Sequence, residues 1–318
     1  SHSARSIEED PMRLFRTLAL GASMLVLFGA CSTGGGSTGK PVIKIGSDGF
    51  DEARVVAEVY AQVLEADGYQ VDRTGIGLGT RDVTNAALES GQIDLKPEYL
   101  GSGLAKLAPG TQTTSPDTNK QLLQEAWASK GGGMTVLGYT PGQDQNTLVV
   151  RQETADEHSL AKWSDLTAVA GDLKWGLATD CPTNPVCGVA LKEQYGIDIE
   201  TIDVTLLDPC STPMADALTA GTIDVAELCS TDPLIITEGW VRLEDDKQTQ
   251  PADNLAPLVR NTYLNSVGDK GAFQTLLDNV SAKIDTPTLA DLYKQVTIDK
   301  KDAKDVAAAW LKAQGVIQ

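Results

Sequence analysis

Residues 77 to 103, GLGTRDVTNAALESGQIDLKPEYLGSG, hold a second half that returns in altered form as residues 217 to 232, ALTAGTIDVAELCSTD. Ala87-Leu88-x-x-Gly91-x-Ile93-Asp94 matches Ala217-Leu218-x-x-Gly221-x-Ile223-Asp224, and a small polar turn precedes each copy. Thr80 or Asp82, and Ser211 or Thr212, can cap the helix that follows, and Gly91 and Gly221 supply the left-handed residue that stops it. Each copy reads as turn, helix, glycine stop, strand. The strands, Ile93 to Leu95 and Ile223 to Leu228, run into Glu98-Tyr99-Leu100-Gly101-Ser102 and Ser230-Thr231-Asp232. Open α/β sheets bind ligands beyond the carboxyl ends of their strands, so two such units imply two lobes presenting equivalent edges to a shared cleft. Two unrelated helix-glycine-strand units would leave the same trace.

Working outward, PVIKIG at 41 to 46, the amphipathic stretch 53 to 66, and a strand at 70 to 73 complete a β-α-β-α-β lobe, parallel by the right-handed crossover rule. The grammar repeats from Trp163, with strands expected at 174 to 178 and 203 to 207. Two extended runs, near 146 to 150 and near 250 to 258, read as places where the chain crosses between lobes. Helices near 268 to 283, 286 to 296 and 302 to 314 then cover the first lobe. The boundaries expected are 41–146 with 253–318 for lobe I, and 147–252 for lobe II.

The N-terminus reads separately. SHSARSIEEDP (1–11) is a cloning scar or an upstream misread. From Met12, Arg13 and Arg16 followed by an apolar run and small residues form a secretory signal peptide over 12–30, too short to span a membrane. Phe28-Gly29-Ala30-Cys31 resembles a bacterial lipobox, with Phe28 where an aliphatic residue is usual, and marks Cys31 for acylation. Residues 31–40 then form a Gly/Ser tether that holds the body to the outer face of the cytoplasmic membrane through the lipid alone.

A formal charge of -18 over 318 residues argues against nucleic acid, whose phosphates need excess Lys and Arg. An exported chain with four further cysteines, Cys181, Cys187, Cys210 and Cys229, implies disulfides. Cys181 with Cys187 and Cys210 with Cys229 is the favoured pairing of three, because the second pair would sit at the ends of neighbouring strands. A four-thiolate zinc site would need knuckle spacings that are absent. The chain carries no G-x-S-x-G, H-E-x-x-H or P-loop motif, and outside the start its one histidine, His158, lies in a polar turn. No enzyme and no cofactor is expected.

In order along the chain, Ile45-Gly46-Ser47 with Phe50 and Glu52, Leu78-Gly79-Thr80, ALESGQIDLKPEYLGSG, ALTAGTIDV, Ser230-Thr231-Asp232, Leu243-x-Asp245-Asp246-Lys247 and NLAPLVR at 254 to 260 resemble one family. It is the substrate-binding proteins of glycine betaine, carnitine and choline ABC importers, and the likeness runs from about 42 to 316. The resemblance implies a type II periplasmic-binding-protein fold: two α/β lobes, a two-segment hinge and a central cleft. It implies a monomer that closes on a small osmoprotectant-type solute and hands it to an ABC permease. In this family a cage of tyrosines holds the quaternary ammonium, each ring contributing about 0.5 to 2 kcal/mol, and Lys or Arg meets the carboxylate.

Carried over by position, Tyr99 falls on a cage position and Ser102 on a nearby hydroxyl position. The other cage positions hold Leu148, Ala215 and Cys229, none with a ring. Asp48 stands where the family has lysine, and the loop 180 to 187 lacks the arginine common there. A betaine carboxylate is thus expected to meet a neutral or negative edge. Asp48 would favour a cation or orient a hydroxyl. Thr80, Asn146, Ser211, Ser230 and Thr231 are the remaining hydrogen-bonding candidates. A neutral polyhydroxylated or aromatic solute, or a sensor role on the same scaffold, is the alternative.

Overall fold

The computed structural model describes residues 40–318 apart from Gly132 and Pro209. The tag-like start, the signal-peptide reading, Cys31 and nearly all of the tether lie outside the described residues. No helix among the described residues is long and apolar enough to cross a membrane.

Among the described residues, ten strands form two five-stranded sheets of the same plan. In the first, β1 (Ile43–Asp48), β2 (Val71–Gly79), β3 (Leu95–Tyr99) and β4 (Met134–Val136) are joined by β10 (Leu255–Arg260), in the order β2-β1-β3-β10-β4. In the second, β5 (Asn146–Val150), β6 (Lys174–Ala178), β7 (Asp203–Leu207), β8 (Val225–Cys229) and β9 (Val241–Arg242) take the order β7-β6-β8-β5-β9. Four strands of each run in the same direction; β10 and β5, the strands reached just after each crossing, run antiparallel to both their neighbours. Both sheets are therefore mixed where a parallel first lobe was expected.

The echo in the sequence is an echo in the structure. Asp94 accepts from the Lys44 backbone N–H and pairs with Arg260 at 2.5 Å; Asp224 accepts from the Lys174 N–H and pairs with Arg151 at 2.8 Å. Each aspartate ties the start of the middle strand of the parallel trio, β1 or β6, to the arginine at the end of the antiparallel strand, Arg260 as its last residue and Arg151 just after it. Gly91 and Gly221, at φ of +78° and +68°, end the two helices in the left-handed conformation that glycine adopts without a Cβ penalty. The strand after Gly91 begins later than expected, at Leu95, and includes Pro97, a residue that ordinarily argues against a central strand. Here Pro97 faces Pro257 across the ladder, and β1 meets β3 only at Ile45–Leu95, so the missing donor costs little.

The helix Asp51–Ala66 is the core of the first lobe. Its Val55, Val56, Val59, Tyr60 and Leu64 are fully buried between the sheet and the C-terminal helices Lys270–Ser281, Thr286–Thr297 and Ala303–Ala313. The second lobe packs around Trp163, Trp175, Leu177 and Leu191. The chain crosses between lobes at residues 137–145 and 243–254. The crossings run against each other, bridged at Gln143–Asn254 and by the Asp144 N–H on the Asp253 carbonyl. Two antiparallel crossings form a hinge, and a hinge leaves a cleft.

Candidate functional site

The cleft is a cavity of about 550 Å³. The first lobe supplies Phe50, Arg81, Tyr99, Ser102 and Gln112; the second supplies Asn184, Pro185, Val186 and Cys229. The two crossings supply Asp144 to Asn146, and Gln250, Pro251 and Asp253.

Its floor is acidic. The Tyr99 hydroxyl donates to Glu52 Oε1 at 2.5 Å, and the Ser102 hydroxyl and N–H donate to the two oxygens of Asp253 at 2.6 and 2.9 Å. Asp144 accepts from the Thr231 N–H at 3.3 Å. Burial, and then the Glu52 charge, push Asp144 up to about 8. Burial raises Asp253 to about 7 against the pull of its Ser102 bonds, with Asp144 adding repulsion. Burial likewise raises Glu52, against its bond from Tyr99. Removing carboxylates from water and setting them beside one another disfavours the charged form, and the cluster shows both effects. Glu52 Oε2 has no hydrogen-bond partner among the described residues.

The wall of the first lobe adds rings and one cation. The Phe50 and Tyr99 rings lie 5.8 Å apart at 37°. Arg81 Nε donates to Glu98 Oε1 at 3.0 Å, and the guanidinium makes no other hydrogen bond among the described residues. Glu98 sits below its usual range: burial opposes ionisation, but Lys96 and Arg81 outweigh it.

Of the eight ligand candidates, the structure brings Tyr99, Ser102 and Asn146 to the cleft. Asp48 is instead buried, accepting from Thr84 Oγ1 at 2.5 Å and from the fully buried Lys96 ammonium at 3.2 Å. Asp48 thus spends its carboxylate on a buried ion pair and lines a hollow beside the cleft, not the cleft itself. Thr80 lies with Asp48 in a neighbouring hollow, its carbonyl receiving the first helical bond from Thr84. Ser211 caps the helix Thr212–Thr219 through the Met214 N–H. Ser230 bonds Gln145 and Gln143 and lines a separate hollow behind the crossings, and Thr231 is buried beside Asp144. Leu148 and Ala215 lie in the core, while Cys229 does reach the cavity.

Sequence reasoning missed Arg81, Asp144 and Asp253 as cleft residues and treated Phe50 and Glu52 only as signposts. Charges inside the polar turn 79–82 and the crossings were the available signal. The structure pairs Cys181 with Cys187 and Cys210 with Cys229. Glu227 lies against the first pair, but its sulfurs are consumed in the disulfide and offer no thiolate to a metal.

The comparisons with known proteins agree with one another. The glycine betaine-binding protein YehZ of Escherichia coli K12 is 26% identical over 281 residues, covering 86% of this chain and 90% of its own. A glycine-betaine-binding protein of Pseudomonas aeruginosa is 25% identical over 94% of each chain. A crystal structure described as a glycine betaine/carnitine/choline ABC transporter superposes with a TM-score of 0.75 at 22% identity, over 87% of this chain and all of that one, which shows the fold. The family model for the substrate binding domain of ABC-type glycine betaine transport systems matches residues 41–313. With its paired mixed sheets, two-segment hinge and central cleft, the chain belongs to that family of type II periplasmic-binding-protein folds, the solute-capturing components of ABC importers.

Proposed function

We propose that this chain captures a small solute bearing a positively charged amine, of the class of glycine betaine and choline. The observation that carries this reading is how the cleft spends its donors. The hydroxyls of Tyr99 and Ser102 are both committed to carboxylates, and the rings of Phe50 and Tyr99 line the cavity together with the acids Asp144 and Asp253. Such a surface is complementary to a cation. Arg81, with its outer nitrogens unengaged among the described residues, is placed to meet a carboxylate on the other end of the same solute. The names of the relatives point the same way.

Tyr99, Ser102, Asn146, Phe50, Arg81, Asp144 and Asp253 form the ligand surface in this reading. Ser211 acts from outside it by capping its helix, Ser230 and Thr231 by fixing the crossings, and Thr80 lies in the neighbouring hollow with no capping bond from its side chain. Lobe I comprises 41–146 and 253–318, and lobe II 147–252. The protein is an exported, monomeric lipoprotein held by Cys31 after removal of 12–30, and it does no covalent chemistry. Closure on the solute is what the permease reads. A neutral polyhydroxylated or aromatic solute is the second reading; it is favoured by the lobe II wall, which offers amides and apolar groups but no ring or charge.

The test is a thermal-shift screen of ligand-stripped protein against betaine, choline, carnitine, polyols and aromatic solutes, followed by calorimetry. A binder at a hundred times its Kd stabilises by about 2.7 kcal/mol. Stabilisation by betaine or choline is expected. A shift only with uncharged solutes overturns the amine reading.

A further inference from the structure

We infer that the disulfide loop Cys181–Cys187 is the specificity-determining wall of the cleft in lobe II, with both disulfides and Glu227 as its positioning residues. The inference rests on the cleft being the solute site and is independent of the charge of the solute. Cys181 lies just beyond the end of β6, and Cys229 is the last residue of β8, its parallel neighbour. Both cross-links therefore stand at the strand ends where such sheets meet their ligands.

Inside the first cross-link, Asn184, Pro185 and Val186 line the cavity. A wall of small amide and apolar side chains discriminates by shape, and shape discriminates only if it is held still. The loop has one turn of 3-10 helix and no sheet partner, so other bonds must hold it. A disulfide spans its ends over a separation of six residues, and Pro182 and Pro185 restrict the backbone between. The Asn184 side chain accepts from the Val186 N–H, and the Val186 carbonyl accepts from Gln250 Nε2 at 2.7 Å, tying the wall to the second crossing.

Glu227 joins the two cross-links. One oxygen receives the Ala178 N–H at 2.8 Å and lies 3.5 Å from Cys187 Sγ; the other receives Asn146 Nδ2 at 3.0 Å. Asn146 is the register partner of Cys229, and its Oδ1 lies 3.8 Å from Cys210 Sγ. Disulfide, glutamate, asparagine and disulfide thus form one continuous brace behind the wall, where lobe I uses rings and charges.

The test measures affinity by calorimetry on the full chain for betaine, choline, carnitine, a polyol and an aromatic solute. It compares wild type with the double variant Cys181→Ala/Cys187→Ala and with Val186→Ala, which keeps the cross-link. Far-UV dichroism and melting confirm folding. The double variant is expected to bind the best probe about tenfold more weakly and to compress the ratio between best and second-best probes. A general loss of stability would leave that ratio unchanged. Val186→Ala is expected to change the ratio without changing the fold. Unchanged ratios in both folded variants overturn the inference alone. Wild-type binding restricted to uncharged probes overturns the amine reading and still tests the wall. Binding of no probe overturns both.

Discussion

The Tyr99 hydroxyl donates to Glu52 Oε1 across 2.5 Å, with both side chains buried and the Tyr99 ring facing the cleft. The hydroxyl therefore serves the fold and the ring serves the solute. Tyr99→Phe keeps the ring and strips Glu52 of that bond, so it is expected to cost about 1 to 3 kcal/mol of stability while leaving amine affinity within roughly threefold. Tyr99→Ala removes the ring and is expected to weaken a cationic solute by about 0.5 to 2 kcal/mol, a factor of roughly 2 to 30. Urea unfolding and calorimetry on the two variants separate the roles. Equal affinities for Tyr99→Ala and wild type would take Tyr99 out of the site.

The acids of the hinge make the protein sensitive to pH. Asp144 and Asp253 are raised to about 8 and about 7, so between the ordinary carboxylate range and these values the folded state holds more protons than the unfolded one. Stability from these groups is complete below about pH 4 and is lost as pH rises through about 7 to 8. A cation in the cleft favours the ionised acids and expels their protons, so affinity for an amine rises over that same window. Calorimetry at pH 7 in buffers of different ionisation enthalpy reads the protons released. Asp144→Asn is expected to raise the melting temperature at pH 8.5, flatten its slope with pH and reduce proton release. A buffer-independent heat would mean that the cluster does not couple to the solute.

How far the sequence reaches is clear from particular residues. The repeat ending in Asp94 and Asp224 is local grammar, helix stop then strand, and it led to the two lobes because each copy builds its sheet in the same way. The extended runs at 146 to 150 and 250 to 258 marked the neighbourhood of the crossings, but 146–150 is strand β5 and 255–260 is strand β10, and the chain passes between the sheets just before each, at 137–145 and 243–254. The antiparallel strands β5 and β10 were not, since strand direction depends on which lobe a segment joins after the hinge. The site was harder to read for the same reason. Asp48 looked available until the structure placed Lys96, fully buried, beside it with Glu98. Burying that lysine is tolerable only with its acids present, and a neighbour 48 positions away in sequence leaves no local mark. Asp144 and Asp253 left no mark in the sequence as a site because they meet only when the two crossings pair.

Arg81 gives the sharpest test of the orientation of the solute. Its Nε is held by Glu98 while the rest of the guanidinium faces the cavity, on the wall that also carries Phe50 and Tyr99. A betaine with its ammonium over the rings and acids would put its carboxylate within reach of those outer nitrogens. Choline, which has a hydroxyl there, would gain little from them. Arg81→Gln is therefore expected to weaken betaine by about 1.5 to 3 kcal/mol, the worth of a hydrogen bond to a charged group, which is roughly 10- to 150-fold. Choline affinity should hold or rise, because a positive charge beside a cationic solute has been removed. The choline measurement also controls for damage around Glu98, which would weaken both solutes together. Equal losses for the two would mean that Arg81 shapes the cleft without contacting the solute.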